Sequence, residues 1–209
     1  MRIALFGASG GIGRQVAEQA LAAGHELRAL SRDGGRLAAH DLLSVVAGDI
    51  VDADAVARTV EGTDGVIWAV GPTRNSAQQV EMFERGARNL VAAMERHGVR
   101  RLVALSGAGI TVAGERKPVS GRLVSGFVRL AVRHVVEAKR REYEVFSRSG
   151  LDWTLVRPPR VVEGPPTGRR VVGERLVGRS VTQGDLAELM LSELVDARWI
   201  GAAPYVSSG

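Results

Sequence analysis

Short apolar runs alternate with amphipathic segments along most of the chain. The apolar runs predict strands at 2–6, 25–31, 42–49, 64–71, 99–107 and 151–159. Segments with apolar residues at helical spacing predict helices at 14–24, 53–62, 76–97, 123–149 and 182–196. Gly24 and Gly98 are typical helix C-caps, and Asp52 is typical of an N-cap. The segment 163–180 reads as a loop or a hairpin.

This alternation predicts an α/β fold. Near-continuous apolar strands indicate a parallel sheet with helices on both faces. Right-handed crossovers then make it a doubly wound sheet, the Rossmann fold. We find no internal repeat and no linker, and we expect residues 1–209 to form a single domain.

The turn after the first strand reads "GASGGIG", from Gly7 to Gly13. Gly7 allows a tight turn, Gly10 lets the backbone approach a pyrophosphate, and Gly13 lets the helix pack closely. The spacing is G-x-x-G-x-x-G, and it also fits G-x-x-x-G-x-G through Gly11. Because strand precedes and helix follows, the turn predicts a dinucleotide site, although close packing alone is the alternative. The expected binding residues here are Gly7, Ser9, Gly10, Gly11, Ile12 and Gly13.

The end of the second strand indicates which nicotinamide coenzyme binds. An acidic residue there would hold the ribose hydroxyls of NAD, but this chain has Ser31 and Arg32, with Arg36 one turn on. A guanidinium matches the oxygens of a 2′-phosphate. Asp33 is the competing feature, since it would repel that phosphate if it pointed inward. The pattern favours NADP over NAD.

Residues after the other strands complete the predicted site. Asp49 and Ile50 follow the third strand, where a carboxylate and an apolar side chain can flank adenine; an ordinary turn residue is the alternative interpretation of Asp49. Val70 and Gly71 end the fourth strand, where the backbone would pass the ribose and nicotinamide.

Composition narrows the function classes. Apolar content of 45% with 24% charged residues is typical of a globular protein, and no apolar run is long enough to span a bilayer. The absence of cysteine excludes thiolate catalysis, and the four histidines lack metal-ligand spacing. Arginines are spread along the chain, so the net charge of +5 fits an anionic ligand better than nucleic acid. We expect a small-molecule substrate, no membrane or metal, a monomer or homodimer, and a cytoplasmic location.

The chain resembles the atypical short-chain dehydrogenase/reductases, in their NAD(P)H-binding, NmrA-like group. Within that group it is most similar to the flavin reductase/biliverdin-IXβ reductase family. The segments that carry the resemblance occur in family order and cover nearly the whole chain: "FGASGGIG", "SRDGGRL", "AGDIVDADAV", "EGARNLVAAMERHGVRRLVALSG", "SRSGLDWTLVRPP" and "VTQGDLAELML".

The resemblance implies that residues 1–209 form a single NAD(P)-binding Rossmann domain with a small C-terminal substrate region. It also implies NADPH as coenzyme and a role for the backbone at Pro158 beside the nicotinamide. Many relatives pass a proton through a Tyr-x-x-x-Lys pair. Here Lys139 stands at the lysine position, but Val135 stands four residues earlier. A serine after the fifth strand contacts substrate in such reductases; that position aligns with Gly107, and Ser106 is its neighbour. Ser106 and Lys139 are therefore the candidate catalytic residues.

These features predict an NADPH-dependent reductase that transfers hydride to a planar conjugated acceptor, such as a flavin, a quinone or a tetrapyrrole-like molecule. Proximity would drive the transfer, with the proton drawn from solvent. The alternative is an NADP(H)-binding sensor of the NmrA type without turnover, which the missing tyrosine favours.

Overall fold

Six parallel strands form the central sheet of the computed structural model, which describes residues 1–33, 37–113, 115 and 132–208. In sheet order they are β3 (Leu43–Ala47), β2 (Glu26–Ser31), β1 (Arg2–Phe6), β4 (Gly65–Trp68), β5 (Arg101–Leu105) and β6 (Asp152–Val156). The order 3-2-1-4-5-6 belongs to dinucleotide-binding sheets. The predicted doubly wound Rossmann fold is confirmed.

β1 shows why the strands are continuous apolar runs. Ile3 and Leu5 point into one core, whereas Ala4 and Phe6 point into the core on the opposite face. Each of these side chains is at most 1% exposed. Because both faces of the sheet are covered, neither set of alternating positions can be polar.

Helices cover the two faces. α1 (Gly11–Ala22) and α5 (Gln183–Asp196) pack together on the first face. α2 (Ala53–Val60), α3 (Ala77–His97) and α4 (Arg133–Ser147) pack on the second face. The arrangement brings the starts of α1 and α5 to the edge of the sheet where the parallel strands end.

The predicted helix caps are confirmed. The Asp52 carboxylate accepts hydrogen bonds from the amides of Asp54 and Ala55, both at 3.1 Å, and so fixes the start of α2. Gly98 ends α3 with φ +68°, and Gly24 follows the end of α1 with φ +76°.

The predicted single helix at 123–149 does not continue through Val132. Val132 has φ −120° and ψ 12°, so α4 begins only at Arg133, and it ends at Ser147. Residues 123–131 lie outside the described part of the chain. The apolar spacing continues across Val132 without a capping residue, which is why the sequence pattern does not reveal this boundary.

The C-terminal region forms two small sheets. β8 (Arg170–Gly173) pairs antiparallel with β10 (Tyr205–Ser208), and β7 (Val161–Val162) pairs in parallel with β9 (Val181–Thr182). The segment 163–180 is therefore not a hairpin, because the partner of β8 lies outside it.

The outer edge of β6 is covered by the segment 201–206. The amide of Gly201 donates to the Trp153 carbonyl at 2.7 Å, and the amide of Leu155 donates to Ala202 at 3.0 Å. The Arg157 amide continues the ladder to Pro204 at 2.9 Å. These bonds satisfy backbone groups that an edge strand would otherwise leave open.

In the part of the chain that the structure describes, no helix is both long and apolar enough to cross a membrane. The same residues contain no group of three or more His, Asp or Glu side chains that could hold a metal ion.

Candidate functional site

A cleft of about 170 Å³ lies at the carboxyl edge of the sheet, beside β1. β1 is flanked by β2 on one side and β4 on the other, so the chain reverses its direction of winding here. Ligands of open α/β sheets bind at such switch points. The cleft is lined by Gly7, Ser9, Gly10, Leu30, Ser31, Arg32, Gly48, Asp49, Ile50, Ala69, Val70, Gly71, Thr73, Gln79, Met82 and Phe83.

The cleft brings together eight residues that the sequence predicts for coenzyme binding: Gly7, Ser9, Gly10, Arg32, Asp49, Ile50, Val70 and Gly71. Gly11, Ile12 and Gly13 do not line it but follow Gly10 directly, in the first turn of α1. Ser106, Lys139 and Pro158 do not line it. Arg36 lies outside the described residues.

The glycine turn is held close to β4. Gly7 has φ +86°, and a β-carbon built on it would lie 2.6 Å from the Ala69 carbonyl oxygen. A β-carbon on Gly13 would lie 2.7 Å from the carbonyl carbon of Gly7 and 2.8 Å from the Cα of Ala8. Gly13 thus lets α1 pack against its own glycine turn. Side chains at either position would force the turn away from the sheet.

The start of α1 offers free hydrogen-bond donors. The Gly10 amide donates to Gly7 and the Arg14 amide donates to Gly10, but no partner among the described residues accepts from the amides of Gly11, Ile12 or Gly13. No side chain caps the helix. Three unpaired amides at the positive end of a 12-residue helix form an anion site, which fits a coenzyme diphosphate.

Arg32 and Asp49 face each other at the β2 side of the cleft. The Arg32 Nε lies 4.0 Å from an Asp49 carboxylate oxygen, and the Arg32 side chain is 69% exposed. The other Asp49 oxygen accepts from the Val51 amide at 3.2 Å. This weak, solvated pair leaves the guanidinium available to a stronger anion.

Ile50 is fixed by α3. Its carbonyl accepts from Asn89 Nδ2 at 3.0 Å, and a β-carbon on Gly86 would lie 2.8 Å from the Ile50 Cδ1. The side chain is only 7% exposed, so it forms a rigid apolar wall in the cleft. That position is compatible with the predicted contact to adenine.

Lys139 ties together the ends of β4 and β5. Its ammonium donates to the carbonyls of Val70 at 2.6 Å and Leu105 at 3.0 Å. It also forms an ion pair with Glu142 at 2.7 Å, and both side chains are buried. The ammonium thus has three partners within the chain, two through hydrogen bonds and one through the ion pair. Its catalytic role stays a prediction; these contacts favour a positioning role that shapes the cleft wall at Val70.

Glu142 completes this buried network. One carboxylate oxygen accepts from Trp68 Nε1 at 2.6 Å, and the other faces Lys139. Burial raises the pKa of Glu142, while Lys139 and Trp68 oppose the rise. Trp68 itself is fully buried, whereas Trp153 is only partly buried.

Ser106 places a buried hydroxyl at the carboxyl end of β5. The residue is 8% exposed, and its Oγ has no hydrogen-bond partner among the described residues. Its amide donates to Val156, and the next loop is joined to β6 through the Ala108 amide and the Pro158 carbonyl at 2.9 Å. An unpaired buried hydroxyl is a group to which a bound molecule can supply the missing partner.

A second buried cluster joins the end of β6 to the C-terminal strand. Arg157 Nη1 contacts Glu115 at 2.8 Å, and the Tyr205 hydroxyl donates to the same carboxylate at 2.5 Å. Burial, together with this hydrogen bond, raises the pKa of Tyr205 to about 12. Burial by itself would raise the pKa of Glu115. The hydrogen bonds from Arg157, Tyr205 and the Val112 amide outweigh burial, so the pKa of Glu115 is lowered.

The sequence analysis misses the α3 wall of the cleft. Gln79 accepts from the Thr73 amide at 3.1 Å, and Met82 and Phe83 follow one turn later. The signal available in the sequence was the spacing i, i+3 and i+4 of Gln79, Met82 and Phe83. A helix that follows a strand at a switch point presents its first turns to the cleft.

A larger groove of about 460 Å³ lies elsewhere, between α5 and β8. An ion pair between Arg170 and Glu188 at 2.8 Å crosses it. Neither the glycine turn nor the ends of the parallel strands reach this groove, so we assign the chemistry to the smaller cleft.

The sequence matches the family described as NAD(P)H-binding over residues 7–197. The chain belongs to this family. The coenzyme is therefore a nicotinamide dinucleotide, and the glycine turn with its unpaired amides fits the diphosphate of such a molecule. The NAD(P)H-binding family match spans nearly all the elements described above.

The chain is 30% identical over 124 residues to a 3-beta-hydroxysteroid dehydrogenase of Mycolicibacterium neoaurum. This match covers 54% of the chain and 34% of the relative, so the chain spans about a third of that protein's length.

Two solved structures share the fold along almost the whole chain. A short-chain dehydrogenase/reductase from Veillonella parvula has a TM-score of 0.82 and 18% identity, and covers 99% of this chain and 94% of its own. ChuY, an anaerobilin reductase from Escherichia coli O157:H7, has a TM-score of 0.76 and 20% identity. The match covers 100% of this chain and 97% of ChuY. At these identities the two structures show a shared fold, and the family match shows that the chain belongs to the NAD(P)H-binding proteins.

Proposed function

We propose that this protein is an NADPH-dependent reductase that transfers hydride to a planar conjugated acceptor, such as a flavin, a quinone or a tetrapyrrole-like molecule. The observation that carries the proposal is the cleft lined by both the glycine turn and Arg32, with the unpaired amides of α1 directly after that turn. The amides hold the diphosphate, and Arg32 holds the 2′-phosphate.

The preference for NADPH rests on Arg32. Its side chain is mostly solvent-exposed and its contact to Asp49 is long, at 4.0 Å. A 2′-phosphate offers more charge and a better geometric match to the guanidinium than this single carboxylate oxygen.

The choice of acceptor rests on what surrounds the end of β5. Val135 stands where a proton-donating tyrosine would be expected, and the Lys139 ammonium already has three partners. Reduced nicotinamide, when bound, supplies a hydride. Among the described residues the Ser106 hydroxyl can donate a hydrogen bond to a bound carbonyl, but no tyrosine–lysine pair is placed to deliver a proton. An acceptor that stabilises added charge by conjugation needs no such relay.

The coenzyme preference is tested by calorimetry with NADPH and NADH. We expect NADPH to bind at least about tenfold more tightly, and Arg32→Ala to remove most of that difference without changing NADH affinity. Arg58→Ala is the matched control, because Arg58 is exposed on α2 and lies outside the cleft. Equal affinity of the wild type for both coenzymes would refute the role of Arg32.

Turnover is tested by following NADPH absorbance with FMN, menadione and biliverdin as acceptors. Oxidation of NADPH by at least one of them supports the proposal. The second candidate function is a coenzyme-binding sensor, which the missing tyrosine and the fully engaged Lys139 favour. Tight NADPH binding without oxidation across the whole acceptor set would replace the first proposal with the second.

A further inference from the structure

The start of α5 lies directly against the glycine turn. A β-carbon built on Gly11 would lie 2.8 Å from Cδ and 2.9 Å from Oε1 of Gln183, the first residue of α5. The Gln183 amide group thus occupies the space that a side chain at position 11 would fill. Gly11 has no positive φ, so this contact, and not backbone conformation, accounts for the glycine.

The backbone on both sides of Gln183 is firmly held. Thr182 caps α5 by accepting from the Asp185 amide at 3.0 Å, and the Asp185 carboxylate accepts from the Thr167 amide at 2.6 Å. The Gly184 carbonyl accepts from Gln19 of α1 at 3.1 Å. The Gln183 side chain is therefore delivered to Gly11 by a rigid frame.

The Gln183 amide group itself makes no hydrogen bond to any described residue, and it is only partly buried. It thus brings two unused N–H donors beside the unpaired amides of Gly11, Ile12 and Gly13. Gly11 connects the two sets of donors, because it carries one of the unpaired amides and lies against the Gln183 amide group.

We propose that Gln183 donates a hydrogen bond to the coenzyme diphosphate, at the phosphate nearer the nicotinamide. The inference rests on the proposed coenzyme site. α1 packs over β1 and β2, whereas α5 packs over β4 and β5. Gln183 therefore approaches the diphosphate from the β4 side, opposite to Arg32 on the β2 side.

The test compares three ligands by calorimetry: NADPH, its fragment 2′-phospho-ADP-ribose, and adenosine 2′,5′-bisphosphate, which lacks the nicotinamide-side phosphate. Gln183→Met keeps the length of the side chain but removes its donors. We expect about tenfold weaker binding of NADPH and 2′-phospho-ADP-ribose, the loss typical of one hydrogen bond to a charged oxygen, and unchanged binding of the bisphosphate.

Gln15→Met is the matched control, because Gln15 lies in α1 and its side chain donates a hydrogen bond to Glu18 of the same helix. Gln183→Ala repeats the test without a bulky side chain against Gly11. Unchanged NADPH affinity in both Gln183 variants, or equal losses for all three ligands, would overturn the inference. Failure of the wild type to bind any of the three would instead refute the proposed coenzyme site.

Discussion

Replacing Lys139 by methionine tests the buried network at the cleft wall. The change removes the positive partner of Glu142, whose side chain is 1% exposed, and two donors to the ends of β4 and β5. Trp68 remains as the hydrogen-bond donor to that carboxylate. The Glu142 charge is then left in the interior with one neutral partner.

The expected loss in the free energy of unfolding is large. Breaking a buried ion pair by removing one partner costs about 3–5 kcal/mol. For a chain of 209 residues this corresponds to a fall in Tm of very roughly 6–20 °C. The cost depends on pH, because Glu142 can escape it by binding a proton.

The sign of the pH dependence follows from the raised pKa of Glu142. Burial raises it above the ordinary 4.5, and loss of Lys139 removes the main opposing influence. The folded variant therefore binds more protons than the unfolded chain above pH 4.5. Its stability is fully present below that pH and is lost as pH rises toward the raised folded value, by up to about 1.4 kcal/mol per pH unit.

Urea unfolding between pH 5 and 8 provides the measurement. Lys139→Met should lose stability with rising pH more steeply than the wild type, and adding Glu142→Gln should abolish the extra slope and restore much of the stability. Arg140→Met on the same helix is the control, since Arg140 is 45% exposed and pairs with Glu137; its cost should stay below about 1 kcal/mol. Parallel pH profiles for Lys139→Met and wild type would refute the reasoning.

Three further changes give separate tests. Gly7→Ala should lower the free energy of unfolding, measured in urea, by more than about 1–3 kcal/mol, because φ is +86° and the new β-carbon meets the Ala69 carbonyl. A smaller loss would show that the turn can relax. Tyrosine absorbance should show that Tyr205 ionises near pH 12. The stability due to its raised pKa should be fully present below about pH 10 and be lost as the pH rises through 12. The Tyr205→Phe variant must lack that transition. Asp52→Ala should cost about 1 kcal/mol through loss of the α2 cap, and a neutral result would contradict the capping role.

Features that depend on residues close together in the sequence could be predicted. The six strands are visible because both faces of the sheet are buried, as Ile3 and Ala4 illustrate on successive positions of β1. Glycines with positive φ and the Asp52 cap are local as well. The partner of β8 could not be found, because its pairing with β10 joins residues far apart in the chain and has no turn signal.

The same distinction holds at the candidate site. The glycine turn and the residues at the strand ends form much of the cleft, so sequence position sufficed for Arg32 and Ile50. The network of Lys139 depends on contacts such as Trp68 to Glu142, which are 74 residues apart. The resemblance made Lys139 a candidate catalyst, but only the tertiary contacts reveal its partners within the chain.

The segment 201–206, which lies along β6, has a consequence for behaviour at high protein concentration. Its hydrogen bonds to Trp153, Leu155 and Arg157 leave that border of the sheet without a run of free backbone groups. Intermolecular strand addition, a common route to aggregation, is thereby blocked on the β6 side. Deleting residues 201–208 would expose the border and turn it into a template for self-association.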